Sequence, residues 1–87
     1  MFEAAASDAS VIVKVGRYGD TLGVQLEPAA MELTDAEIAN RIVRLNTLAY
    51  LRSQLALRLE MENNHVEVTV PLPTETQVEA YAATIDF

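Results

Sequence analysis

The sequence contains one histidine, His65, and no cysteine among its 87 residues. The lack of thiols excludes disulfides, thiolate nucleophiles and cysteine-ligated metal sites. A serine or threonine nucleophile needs a base beside it and a third group that orients the base, and a lone imidazole at a strand start offers neither. We therefore interpret His65 as a surface residue, and we expect no catalytic residue, no cofactor and no metal site.

Carboxylate pairs are the next candidates for acid–base chemistry, namely Glu60 with Glu62 and Glu75 with Glu79. A carboxyl group becomes a general acid when apolar burial or a neighbouring charge raises its pKa. Nothing in the surrounding sequence isolates either pair from water. The glycines within residues 16–23 precede no helix and no Lys-Ser/Thr pair, so they do not form a phosphate-binding loop. An enzyme is not expected.

Four arginines lie within residues 38–59, a stretch without any acidic residue. This stretch carries a charge of +4, so the remainder carries −7 − 4 = −11. One interpretation is a basic ridge for an acidic partner or nucleic acid. The other is that these guanidiniums pair with carboxylates of the same fold or of a dimer mate. We favour the second, because an acidic chain repels phosphate backbones. The residues are Arg41, Arg44, Arg52 and Arg58.

The elements that must position these groups begin with a predicted β-hairpin. Apolar residues alternate with other residues over 10–16 and again over 21–27, a period of two that is typical of strands. The loop between them contains Gly16 and Gly19, as a hairpin turn requires. Pro28 cannot donate to a ladder and ends the second strand. Residues 65–70 alternate in the same way and predict a further short strand.

Two capping boxes predict two helices. Thr34 is followed three residues later by Glu37, and no glycine or proline interrupts the chain before Asn63. This pattern predicts one long helix from about residue 34 to residue 62. Thr74 and Gln77 repeat the box ahead of apolar residues at helical spacing, which predicts a short C-terminal helix.

The long helix has two apolar stripes. The wider stripe would cover the sheet, whereas the second lies on roughly the opposite side and needs a cover of its own. A domain of this size buries only about 60–65% of its unfolded surface. We therefore predict a homodimer that forms through the sheet edge and this second stripe, the alternative being cover by the C-terminal helix and the strand at 65–70. The wider stripe comprises Ile38, Ile42, Leu45, Leu48, Ala49, Leu55, Ala56 and Leu59, and the predicted interface comprises Val43, Tyr50, Leu57 and Met61.

Hydrophobic residues make up 51% of the chain and charged residues 22%. This composition is typical of a folded globular domain, and no apolar stretch approaches the roughly 20 residues that span a bilayer. The first ten residues lack the basic start of a signal peptide. We expect a single domain over residues 1–87 that is soluble and cytoplasmic, with no membrane partner.

Three segments together resemble a known pattern: the strand at 11–15, the segment from Gly19 to the Gln-Leu-Glu-Pro that ends at Pro28, and the capped segment 33–43. They are similar to the actinobacterial YbaB/EbfC-like family, in which a strand, a glycine turn and a second strand precede a capped helix. Within that family the chain is most similar to the mycobacterial type VII secretion-associated EspD/EspH group. Leu72-Pro73-Thr74, ahead of the helix with Tyr81, also resembles this group.

The resemblance implies an α+β domain in which a small antiparallel sheet of three to four strands packs on one long helix as a homodimer. It also favours a strand at residues 2–7. The function it implies is a non-enzymatic protein-binding or chaperone-like role in type VII secretion, with other secretion-associated proteins as partners. The alternative within the same family is a nucleoid-associated DNA-binding protein.

Overall fold

The computed structural model describes residues 1–87. Three strands come first, β1 (Phe2–Ala5), β2 (Val11–Val15) and β3 (Thr21–Leu26), followed by a 3-10 turn over Pro28–Glu32. The long helix α1 spans Asp35–Asn63, and the short helix α2 spans Glu75–Ala83. The predicted α+β class, the hairpin, the strand near the start and both helices are confirmed.

The sheet is an antiparallel meander in the order β1-β2-β3. In register, Val13 lies between Ala4 of β1 and Val24 of β3. A bulge near Val15 gives β3 one extra residue close to the hairpin turn. Gly19 in that turn has a φ of 85°, which glycine adopts without the steric penalty of a side chain.

Both helices start at the predicted caps. The Thr34 hydroxyl accepts from the Glu37 amide at 3.1 Å, and the Glu37 carboxylate accepts from the Thr34 amide at 3.3 Å. Thr74 and Gln77 form the same reciprocal pair at the start of α2. These bonds satisfy amides that have no partner within the helix.

The predicted strand at residues 65–70 is wrong. The chain leaves α1 through His65, whose φ is 57°, and the following residues pair with no strand. The segment instead turns back against the end of α1, where the Val66 amide donates to the Met61 carbonyl at 2.8 Å and Arg58 donates to the Leu72 carbonyl at 2.8 Å. These contacts hold the segment beside the helix rather than beside the sheet.

The core lies between β2 and α1. Val11, Val13 and Val15 are wholly buried beneath Leu45 and its buried helix neighbours. Val78 of α2 joins the same cluster from the side of the helix. The wider apolar stripe therefore covers the sheet as predicted over its middle, whereas Leu59, near the C-terminal end of α1, is 51% exposed.

Burial is limited for a chain of this size. Only 13 of the 87 residues are buried, and the Cα radius of gyration is 14.2 Å, against about 12 Å expected for a compact domain of this length. The molecule measures 48 × 23 × 17 Å along its principal axes. Neither helix has both the length and the apolar character that a bilayer-spanning helix requires.

Candidate protein-interaction surface

The third strand carries apolar side chains that nothing covers. Val24 is paired with Val13, and Leu26 with Val11, and directly paired residues of neighbouring strands point to the same face of a sheet. The β2 valines are buried under α1, yet Leu22, Val24 and Leu26 are between 42% and 56% exposed. We call these three residues the β3 row.

The width of a helix explains why the β3 row is not covered by α1. An α-helix with its side chains is about 10 Å across, and neighbouring strands are about 4.8 Å apart. One helix therefore covers two strands, and α1 packs over β1 and β2. The third strand of the sheet is left outside its footprint.

One flank of α1 forms a wall beside the β3 row. Val43, Tyr50 and Leu57 follow each other at intervals of seven residues and are 64%, 43% and 38% exposed. Asn46, on the same flank, accepts a hydrogen bond from the Thr21 hydroxyl at 2.7 Å. A Cβ added at Gly19 would lie 2.7 Å from the Tyr50 ring. These contacts place the flank on the β3 side, so the β3 row and the wall residues Val43, Tyr50 and Leu57 lie side by side, and we call the two together the apolar groove.

The predicted interface residues are thus divided. Val43, Tyr50 and Leu57 lie on the exposed wall, whereas Met61, one turn further, is half-buried. Helix α2 packs elsewhere, with Val78 in the core. The segment before α2 reaches the wall only at Tyr50, where residues 71–73 line a shallow cleft.

The wall continues into an open cavity of about 410 Å³ near the hairpin turn. Leu57 and Tyr18 line this cavity, together with Arg17 and Glu60, which form an ion pair at 2.8 Å. Tyr18 is almost fully exposed. Apolar surface therefore extends from the β3 row along the helix to the tip of the hairpin.

Arg41 is bound to the loop between β1 and β2. Its guanidinium donates to the Ser10 hydroxyl at 2.9 Å and to Asp8 at 3.2 Å and 3.3 Å, and it lies 4.8 Å from the centre of the Phe87 ring. The Ser10 amide also donates to Asp8 at 3.0 Å. Hydrogen bonding by the Ser10 amide, the largest cause, then by the Ser10 hydroxyl and by Arg41, lowers the pKa of Asp8 below its usual value.

The other three arginines also bond within the fold. Arg44 donates to the Thr84 carbonyl at 2.6 Å, and Arg52 donates to the Glu3 carbonyl at 2.8 Å. Arg58 contacts Glu62 at 3.0 Å and the Leu72 carbonyl at 2.8 Å. The structure therefore places the four predicted ridge residues in contacts that join α1 to its surroundings. Sequence reasoning anticipated carboxylate partners but missed the backbone carbonyls, for which a sequence gives no signal.

The titratable groups considered for catalysis lie apart from one another. His65 is exposed in the turn after α1, Glu60 pairs with Arg17, and Glu62 pairs with Arg58. Both carboxylates of α2 are exposed. No group of three acidic or histidine side chains is arranged to hold a metal ion.

No protein-family model, no curated protein and no solved structure matches this chain.

Proposed function

We propose that this chain is a non-enzymatic protein-binding protein that acts as a homodimer through the apolar groove. The observation that carries the proposal is the exposure of the β3 row together with the α1 wall. Contiguous exposed apolar surface is uncommon on small monomers and marks interaction sites. No side chain of the row or of the wall residues Val43, Tyr50 and Leu57 carries a charge, so contact between these side chains desolvates no ion.

The surface area of the chain supports a second copy as the first partner. The accessible surface is 5580 Å², whereas a folded monomer of 9.5 kDa is expected to expose roughly 5000 Å². A standard interface buries about 800 Å² on each partner. The excess is of the same order as one such interface.

The finer assignment is a chaperone-like role associated with type VII secretion, in the cytoplasm, with other secretion-associated proteins as partners. Its support is the similarity of residues 11–15, 19–28 and 33–43 to the YbaB/EbfC-like and EspD/EspH pattern. A dimer whose elongated helices flank an apolar surface offers a place for an apolar segment of another protein.

The alternative, a DNA-binding protein, has less support. Its phosphate contacts would come from Arg41, Arg44, Arg52 and Arg58, and each of these guanidiniums already donates hydrogen bonds within the fold. Releasing them would sacrifice those bonds, and the chain carries a net charge of −7. The loss of these hydrogen bonds and the negative net charge both oppose binding to a phosphate backbone.

Light scattering over a dilution series tests the homodimer, with twice 9.5 kDa as the expected mass. Leu57→Asp places a charge on the wall and should dissociate the dimer with the helical circular dichroism retained, because burying an unpaired charge is costly. Leu59→Asp is the matched control. Leu59 is also an exposed leucine of α1, but it lies outside the groove, so its substitution should leave the mass unchanged.

A mass of 9.5 kDa at every concentration of the natural chain would contradict the homodimer. An unchanged mass for Leu57→Asp would exclude the wall from the interface. Electrophoretic mobility shift at low salt addresses the alternative function. Retardation of duplex DNA at sub-micromolar protein, lost steeply as salt rises, would favour the DNA-binding assignment.

A further inference from the structure

The outer edge of β3 presents unpaired backbone groups beside its exposed side chains. The Glu27 amide donates to the Ser10 carbonyl at 2.9 Å, and hydrogen-bonded pairs alternate along an antiparallel ladder. Gln25 and Gly23, opposite Ile12 and Lys14, therefore direct their amides and carbonyls toward β2. Val24 and Leu26, which alternate with them, direct theirs away from the sheet. Both belong to the β3 row, whose third member, Leu22, lies at the bulge.

Nothing on β3 protects this edge. Natural proteins block strand edges with lysine, proline or charged side chains, or cover them with other segments. The six residues of β3 contain no charge and no proline, the nearest charges being Asp20 before the strand and Glu27 after it. The opposite edge differs, since Arg52 donates to the outward carbonyl of Glu3 on β1. The β1 edge is therefore partly occupied, whereas no hydrogen bond within the chain reaches the outward groups of Val24 and Leu26 on β3.

The sequence of β3 is complementary to itself about Val24. In an antiparallel pair related by a two-fold axis through this residue, Leu22 lies opposite Leu26 of the second copy. On the other face of the sheet, Gly23 then lies opposite Gln25 of the second copy. The space beside Gly23 is open, since no neighbouring atom lies within 4 Å of a Cβ placed there. This register sets apolar residues against apolar residues and places no like charges opposite each other.

We propose that two copies of the chain pair their β3 strands antiparallel with Val24 on the two-fold axis, so that two three-stranded sheets join into one of six strands. The inference rests on the proposed homodimer and specifies its geometry. Pairing brings the two β3 rows together on the face that both α1 helices share. Val43 and Tyr50 of each copy then border the joined rows, which places the wall and the row in one continuous interface.

Single cysteines test this register directly, because the natural chain has none. Directly paired residues of a hydrogen-bonded antiparallel pair have Cα atoms about 5.5 Å apart, within the range that a disulfide spans. Val24→Cys should form an intermolecular disulfide under mild oxidation. Leu22→Cys and Leu26→Cys are the matched controls, since each would lie four residues along the strand from its copy, about 13 Å away. We expect cross-linking at position 24 to be at least tenfold faster than at either control.

The double variant with cysteines at both 22 and 26 should cross-link as readily as Val24→Cys, because each cysteine then faces the other type on the second copy. Dimeric mass without fast cross-linking at position 24, or with equal rates at all three positions, overturns the register and leaves the homodimer standing. Monomeric mass at all concentrations overturns both. Fast cross-linking at 24 alone, together with a dimeric mass, supports the proposal.

Discussion

The two edges of the sheet are built from the same meander and have opposite properties. On β1, Glu3 carries a charge and its carbonyl accepts from Arg52, while the adjoining Ser7 amide donates to the Phe87 carbonyl. On β3, the outward backbone groups and the side chains of the β3 row are exposed together. The helix covers only two of the three strands, and the β1 edge is partly occupied by bonds from its surroundings whereas the β3 edge has none. An edge left open beside an apolar surface is suited to association.

The largest expected effect is on the free energy of unfolding, and it separates the part of the sheet that α1 covers from the uncovered β3 row. Leu45→Ala should lower the free energy of unfolding by about 2–5 kcal/mol, because it leaves a cavity in a wholly buried site. Leu22→Ala removes a leucine that is more than half exposed and should cost the monomer under about 1 kcal/mol. Urea denaturation at low protein concentration measures both. Equal losses would show that the β3 row is covered within a single chain.

Proline substitutions sharpen the contrast between the two sides of β3. Gln25→Pro removes an amide that faces β2 and should destabilise the monomer by about 1–3 kcal/mol. Val24→Pro removes an outward amide, so the monomer should fold with less change while the dimer dissociates. Circular dichroism in urea and light scattering report the two effects. A dimeric Val24→Pro protein would contradict pairing through this edge.

Arg52→Met tests whether the β1 edge is covered by the guanidinium. Loss of the hydrogen bond to the Glu3 carbonyl should cost about 1–2 kcal/mol, and hydrogen exchange in β1 should quicken. Arg17→Met is the comparison, since it removes an exposed ion pair with Glu60 of the kind that contributes about 0–1 kcal/mol. If exchange in β1 responds equally to both substitutions, Arg52 does not protect that edge.

The smallest expected effect concerns Asp8 at the β1–β2 loop. Its pKa is lower in the folded chain than the usual 3.8 because of the Ser10 and Arg41 hydrogen bonds. Its ionised form therefore contributes stability that is present above the unfolded pKa and is lost as pH falls through the folded value. The urea midpoint of the natural chain should fall more below about pH 4 than that of Asp8→Asn. Parallel curves for the two proteins would contradict this contribution.

Local sequence signals predicted the elements well. Thr34 with Glu37 and Thr74 with Gln77 marked both helix starts, because a capping box satisfies backbone amides using residues three apart. Alternation predicted β2 and β3 for the same local reason. The pattern at 65–70 failed because alternation shows that a segment has two different faces but not where the chain runs, and this segment is bonded to α1 at Val66 and Leu72.

The candidate site was predictable in part. The sevenfold spacing of Val43, Tyr50 and Leu57 indicated an uncovered helix flank, which the structure shows on the β3 side. The β3 row was missed because its alternation looks like that of any half-buried strand. Only the relative widths of a helix and three strands indicate that one strand remains uncovered. The relationship to secretion-associated proteins stays a prediction, since it comes from sequence resemblance alone.

The meander order of the strands has a kinetic consequence. Each strand pairs only with its neighbour in the chain, and the short loops between paired segments make these contacts local, which favours rapid formation of the sheet. Folding of one chain is unimolecular, whereas the proposed joining of two β3 edges is a separate bimolecular step. Diluting the protein during refolding should slow only that second step, so the helical signal should recover at a constant rate while the dimer forms progressively later.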